Sequence, residues 1–299
     1  MAGVRGSAGQ PFRVGVVTDQ NLPWHVLADQ WMRYEALGFD SAWVCDHYQQ
    51  PSRPDGPYFE GWTLLAALAA RTTRLRVGVL VSSNTFRHPA LLAKQAVTVD
   101  HISGGRLELG LGAGWYVPEH TRFGIPFPEP PELVARFREA VEVIDSLLRQ
   151  DVTTYPGTYN QISEATFRPA PLQRPRPPLT LGAHRRRMLR VVAEYADRWN
   201  SHGSVSEMAE RNRILDEQCA VAGREPTAII RSLYGWASQM GADPWASPDA
   251  FQEVIGRYRE AGVSEFLLDA PSPAGVAMME RIMIDLVPAM RADQPRTPA

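Results

Sequence analysis

Eight times along this chain a short β-branched run is followed by a longer segment of helical period, and that alternation restricts the fold more than any other feature. Arg13–Thr18 reads as a first strand and Trp24–Leu37 as its amphipathic helix. Ser41–Asp46 with Glu60–Arg71, Arg76–Val81 with Pro89–Ile102, and Arg106–Leu111 with Pro131–Arg149 repeat the unit. Pro89 suits a first helical turn, where its missing N–H would go unpaired anyway. After a break, Leu179–Ala183 leads into Arg185–Ala196, Asp197–Asn200 into Ser206–Ala222, Ala228–Ala237 into Phe251–Ala261, and Glu265–Ala270 into Ala274–Leu286. Gly38, Gly223 and Gly262 stand where helices should stop. Eight units in 299 residues predict an α/β fold of the (β/α)₈ type, a TIM barrel. It is expected to span residues 11–290 as a single domain between tails at 1–10 and 291–299. A doubly wound open sheet is the competing architecture.

The break runs from Gln150 to Pro178 and carries Pro156, Pro169, Pro171, Pro175, Pro177 and Pro178 with no sustained period. Proline fixes its own φ and lacks a donor, so an irregular, extended insertion after the fourth unit is expected here.

Composition narrows the partners. With 31 basic against 33 acidic residues the chain has no global excess of positive charge, which argues against nucleic acid as a partner. Two cysteines, Cys45 and Cys219, lie far apart in sequence and indicate neither a disulfide scaffold nor a thiolate metal site. Arg5 has no long apolar run behind it, and every apolar stretch is strand-sized or amphipathic. No secretory signal and no membrane span are expected, and a cytoplasmic location follows.

In such a barrel the residues just past each strand's carboxyl end converge on one mouth. That rule nominates Asp19 and Gln20, then Asp46 and His47, then Ser82, Ser83 and Asn84, then Gly112, Ala113, Gly114 and Trp115. After the fifth and sixth strands it nominates His184 with Arg185, Arg186 and Arg187, and Ser201 with His202. Asp46–His47 is the sharpest pair, because an imidazole exchanges protons near neutral pH and an adjacent carboxylate influences its protonation. A structural Asp cap beside a hydrogen-bonded His fits the same dipeptide. Gly110–Gly114 resembles a nucleotide fingerprint only superficially: it ends a strand, and Trp115-Tyr116-Val117-Pro118 does not open a clean helix. Its glycines are read as allowing a flat ligand to approach the backbone, with Trp115 either covering an apolar ring or plugging the mouth. At Gly182–Arg187 a strand end running into a helix offers free N–H groups to a phosphate, and a plain basic helix start fits equally well. The seven histidines are dispersed without an H-E-x-x-H arrangement, so no metal is expected. Asp100–His101, before Ser103-Gly104-Gly105, reads as a surface turn.

Several of these pieces resemble one family, the luciferase-like flavin and deazaflavin oxidoreductases, especially the coenzyme F420-dependent branch. The resemblance covers roughly residues 13–290. It is carried by Gly38-Phe39-Asp40-Ser41-Ala42-Trp43 running into Asp46-His47, by Arg76–Val81, and by Phe86-Arg87-His88-Pro89-Ala90-Leu91-Leu92-Ala93-Lys94. Asp100–Trp115 and Ala196-Asp197-Arg198-Trp199-Asn200 complete it. The resemblance implies a barrel holding F420, or alternatively FMN, at the strand ends. It also implies a small-molecule substrate, a homodimer and, for an FMN enzyme, a reductase supplying reduced cofactor. His47 matches the imidazole at the reactive ring edge and Asp46 its acidic neighbour. Leu80–Val81 matches a non-prolyl cis bond supporting one ring face, and Ser83 a small polar pocket position. Gly112, Ala113 and Gly114 belong to the cofactor side, and Gly182, Ala183, His184 and Arg185 match the phosphate-side segment. Asp19, Trp115 and Glu119 are the expected substrate-pocket residues. One departure stands out: some F420 dehydrogenases carry Glu directly after the fourth-strand G-x-G and Asn three residues later, where this chain has Trp115 and Pro118. That places sugar-phosphate oxidation in doubt. The implied reaction is F420-dependent hydride transfer, as alcohol oxidation or reduction of an activated C=C or C=N bond. An FMN-dependent monooxygenase is the alternative, and a noncatalytic flavin-binding relative is the bland one.

Overall fold

A computed structural model describes residues 9–292; most of both expected tails lies outside that range. Eight strands form one closed sequence of neighbours. They are β1 (Arg13–Val17), β2 (Ser41–Val44), β3 (Arg76–Val79), β4 (Leu107–Gly112), β5 (Leu179–Gly182), β6 (Arg198–Ser201), β7 (Ile230–Gly235) and β8 (Glu265–Asp269). The order runs β3-β2-β1-β8-β7-β6-β5-β4, and a β3–β4 pairing closes it. The β1–β8, β8–β7, β7–β6, β5–β4 and β4–β3 pairs are parallel. This is the expected (β/α)₈ barrel and not an open doubly wound sheet.

The helices follow from pattern. In α5 (Pro130–Arg149), Phe137, Ala140, Val141, Ile144, Leu147 and Leu148 recur at spacings of three and four and are all buried. One stripe of the helix is thereby apolar, and each large side chain removed from water contributes about 1.5–3 kcal/mol. Between β1 and β4 lie α1 (Trp24–Ala36), α2 (Gly61–Ala69) and α3 (Pro89–Ile102), with α4 (Val117–Phe123) just ahead of α5. Glu60 caps α2 by accepting from Trp62 N and Thr63 N, and Pro89 opens α3 as expected. Later come α6 (Arg186–Tyr195), α7 (Val205–Ala222), α8 (Ala237–Met240) and α9 (Pro248–Glu260). Gly38, Gly223 and Gly262 all have positive φ beyond helix ends.

Four expectations need correction. The stretch 150–178 is not wholly irregular: Val152–Pro156 and Gln161–Thr166 pair as an antiparallel hairpin. Along Val152–Pro156 buried Thr153 and half-buried Tyr155 alternate with exposed neighbours, but the buried residue is polar and the exposed Val152 apolar, so hydropathy does not mark the strand; Gln161–Thr166 is largely exposed. The Glu139 carboxylate ties its turn down by accepting from the N–H groups of Thr158, Tyr159 and Asn160. A helix, α4, does follow Trp115. Asp100 is no surface-turn residue; it is fully buried and accepts from Leu172 N, Gln173 N and Gln173 Nε2, anchoring the end of the insertion. Finally, the expected last helix is broken into a 3₁₀ turn at Pro273–Gly275, an α segment at Val276–Arg281, a π segment at Ile282–Leu286 and α helix at Val287–Ala292.

Contacts divide the chain into two compact units. One comprises residues 19–32 and 43–182; the other comprises 9–18, 33–42 and 183–292. No helix among the described residues is long and apolar enough to cross a membrane, and no cluster of His, Cys, Asp or Glu among them is arranged to hold a metal.

Candidate functional site

The predicted site residues fall into two clusters, one in each unit. In the 19–32/43–182 unit, β2 ends at Val44 and delivers Asp46 and His47 two and three residues later. Although adjacent, the two side chains take different partners. His47 Nδ1 lies 2.8 Å from Glu119 Oε2, contributed by α4. The other oxygen of Glu119 accepts from Tyr48 N at 2.5 Å and Gln49 N at 3.1 Å, and the residue is fully buried. Asp46 instead accepts two bonds from Arg87, at 2.6 and 2.7 Å, and a third from Ser83 N at 2.7 Å. His47 thus bonds Glu119 rather than its neighbour Asp46, and both oxygens of Glu119 are engaged by the chain itself.

The Leu80–Val81 peptide is cis, as the resemblance implied. Leu80 N donates to Val44 O, which ties this bond to the strand carrying His47. The strand glycines make room for this segment. A Cβ on Gly112 would lie 2.6 Å from Val81 Cγ2, and one on Gly182 would lie 3.1 Å from the same methyl. The close approach permitted here is that of Val81, so these glycines are explained without the flat ligand expected of them. Gly114 has φ +98, a conformation that favours glycine. Beside it, His120 Nδ1 donates to the Tyr116 carbonyl, so in the neutral ring Nε2 accepts from the Thr85 hydroxyl. Thr85 in turn meets Ser83 Oγ at 2.7 Å.

Trp115 is 66% exposed and presents its ring edge-on to His47 at 5.8 Å between centroids; Tyr116 does the same at 6.1 Å. Ala113 is half-buried. Asp19 bonds Asn21 Nδ2 and Gln50 Nε2. Desolvation raises its pKa, and Gln50 and Arg53 offset part of that rise. Gln49 Nε2 is buried and without a hydrogen-bond partner, an orphan donor beside the His47–Glu119 pair. Sequence reasoning missed Arg87, Thr85, His120 and Gln49. Arg87 stood inside a quoted family run, yet nothing in that run pointed to Asp46.

In the other unit, Ala183 N donates to Asn200 O, and the Ala183 carbonyl accepts from Trp199 Nε1. His184 Nδ1 lies 2.7 Å from Ser201 Oγ, and its ring packs on His202 at 4.3 Å; His202 packs in turn on Trp236. Arg211 bonds the His202 carbonyl and Ser201 Oγ. Burial first, then His202, Arg211 and Arg185, push the His184 imidazole down to about 4. The folded state then binds fewer protons than the unfolded chain between about pH 6.5 and 4, so stability falls as pH drops through that window. His184→Gln is expected to flatten this part of the profile, measured as urea midpoints from pH 4 to 7; an unchanged slope would assign it elsewhere. Arg185 is the N-cap of α6 and makes no side-chain capping bond, since a guanidinium has no acceptor. Arg186 is paired with Glu217.

The imidazole and the cis peptide lie past strand ends of one unit, and the start of α6 lies past β5 in the other. The chain belongs to the luciferase-like monooxygenase family, whose model matches residues 9–242. It is 36% identical over 168 residues to an F420-dependent glucose-6-phosphate dehydrogenase of Kineococcus radiotolerans, covering 55% of this chain and 49% of that protein. The enzyme of the same name from Microbacterium testaceum is 33% identical over 219 residues, covering 72% and 64%. The matched stretches thus span about half to under two thirds of these relatives' length. In structure the chain resembles the coenzyme F420-dependent tetrahydromethanopterin reductase of Methanopyrus kandleri, with TM-score 0.81 at 20% identity, covering 93% of this chain and 99% of that one.

Proposed function

We propose that this protein is an enzyme, an F420-dependent oxidoreductase that moves a hydride to or from a small organic substrate, oxidising an alcohol or reducing an activated C=C or C=N bond. The observation that carries the reading is the His47 imidazole just past β2, held at Nδ1 by a fully buried carboxylate. The two dehydrogenase relatives named for F420 support it. The deazaflavin ring, when bound, supplies a carbon that accepts or gives a hydride. His47 handles the accompanying proton, and Leu80, Val81 and Ser83 support the ring. Gly112, Ala113 and Gly114 shape the backbone around Val81 and Ser83. Ala183, His184 and Arg185 are assigned to the cofactor's phosphate, which the uncapped start of α6 suits. Trp115 and Pro118 stand where the resemblance puts Glu and Asn in sugar-phosphate dehydrogenases, so the substrate proposed is not a sugar phosphate. Trp115 and Asp19 border the substrate. Residues 11–290 are taken as one barrel domain, the protein as a cytoplasmic homodimer, and any reductase partner as confined to the FMN alternative.

F420 is expected to bind more tightly than FMN, since its polyglutamate tail adds negative charge for the basic segment at Arg185. Dissociation constants for both, measured by fluorescence at one ionic strength, check this. Tighter FMN binding with FMN-supported turnover would replace the reading with an FMN-dependent monooxygenase.

A further inference from the structure

We infer that Glu119 is a positioning residue that fixes the tautomer of His47, so that Nε2 is the atom at which this enzyme takes and returns its proton. The inference rests on the hydride-transfer reading above but concerns the cofactor-free chain. An ionised carboxylate can only accept hydrogen bonds. Glu119 Oε1 already accepts from two backbone N–H groups, those of Tyr48 and Gln49, and Oε2 faces His47 Nδ1 at 2.8 Å. Nδ1 therefore carries the hydrogen, and the neutral ring has its lone pair on Nε2.

The same three contacts bind α4 to the segment after β2. Tyr116, directly before α4, adds a bond from its hydroxyl to the Pro51 carbonyl, so the turn bearing His47 is held at two points. Trp115 and Tyr116 both stand edge-on to the imidazole. Both Glu119 oxygens are engaged within the chain and the residue is fully buried. In alcohol oxidation the substrate O–H bond would break with its proton taken by Nε2, and the C–H bond would give its hydride to the deazaflavin, leaving the carbonyl. The carboxylate at Nδ1 stabilises the imidazolium that results. Reduction runs the same atoms in reverse, with Nε2 giving the proton.

The test is ¹⁵N NMR of the histidine-labelled, cofactor-free protein, with the His47 signal identified by its loss in His47→Gln. The expected spectrum at a pH where the ring is neutral has the hydrogen on Nδ1. In Glu119→Gln the amide oxygen can still accept from Tyr48 and Gln49 while the NH₂ group donates to Nδ1, so the hydrogen should move to Nε2. In the loaded enzyme that variant should lower kcat by about 10- to 1000-fold with KM changed less than about threefold, because a proton transfer has lost its acceptor atom. A hydrogen on Nε2 in the parental chain overturns the inference, whether or not Glu119→Gln folds. So does a folded Glu119→Gln that keeps the tautomer or the parental kcat. A correct tautomer in a protein that binds FMN and not F420 would instead sink the cofactor reading and leave this one standing.

Discussion

His47→Ala is expected to slow single-turnover hydride transfer by about 10²–10⁴-fold while leaving the protein folded. The expectation combines two observations. The imidazole is bound through one nitrogen to a fully buried carboxylate, and its side chain retains some exposure, 15%, at a strand end. Truncation removes the proton-handling group and one bond to Glu119, but the Glu119 contacts to Tyr48 N and Gln49 N remain, so the loop after β2 keeps its anchor. Stopped-flow monitoring of bound F420 with a competent alcohol or alkene separates chemistry from binding, and a thermal melt checks the fold. His47→Gln restores a hydrogen-bond donor without an exchangeable acid, so partial rescue would identify orientation as the larger share. Parental single-turnover rates in a folded, cofactor-binding Ala variant would remove His47 from the chemistry.

The sequence makes the barrel legible because its signal is local and repeated. A strand of four to six residues and a helix of period 3.6 each announce themselves within one window, and seven of the eight strands start within one residue of expectation. The hairpin at Val152–Thr166 does not announce itself, because it buries little on either face. α4 is hidden for a related reason: seven residues with Pro118 in the first turn give no full period, yet it delivers Glu119. The π segment at Ile282–Leu286 has an ordinary apolar composition, and nothing in the structure explains why the helix widens there. At the site, His47 was readable from its place after a strand. Its partner was not, since 72 residues separate it from Glu119 and 41 separate Asp46 from Arg87. Side-chain pairs closed by the fold leave no spacing to read. The dipeptide itself misled, because successive residues leaving a strand point to opposite sides and adjacency implies no contact.

Arg87→Ala is expected to destabilise the protein by about 3–5 kcal/mol, the cost of leaving a buried charge without its partner. The Asp46 side chain is 3% exposed and that of Arg87 9%, and the two meet through both terminal guanidinium nitrogens. Glu60 lies 3.7 Å from the same guanidinium, so the substitution strands one carboxylate and unbalances a second. Ser83 N, its remaining donor, cannot replace two charge-assisted bonds. Arg87→Lys should recover only part of the loss, since an ammonium cannot reproduce the planar two-point geometry. Asp46→Asn combined with Arg87→Ala should be milder than Arg87→Ala alone, because the double variant no longer buries an unpaired charge. Urea unfolding with a constant m-value measures all three. The pair also joins the residue before His47 to the segment after the cis Leu80–Val81 bond, so cofactor affinity in Arg87→Lys should fall more than global stability does. If Arg87→Ala costs less than about 1 kcal/mol, the Asp46–Arg87 pair does not hold this end of the barrel together, and the backbone bond from Ser83 carries that role.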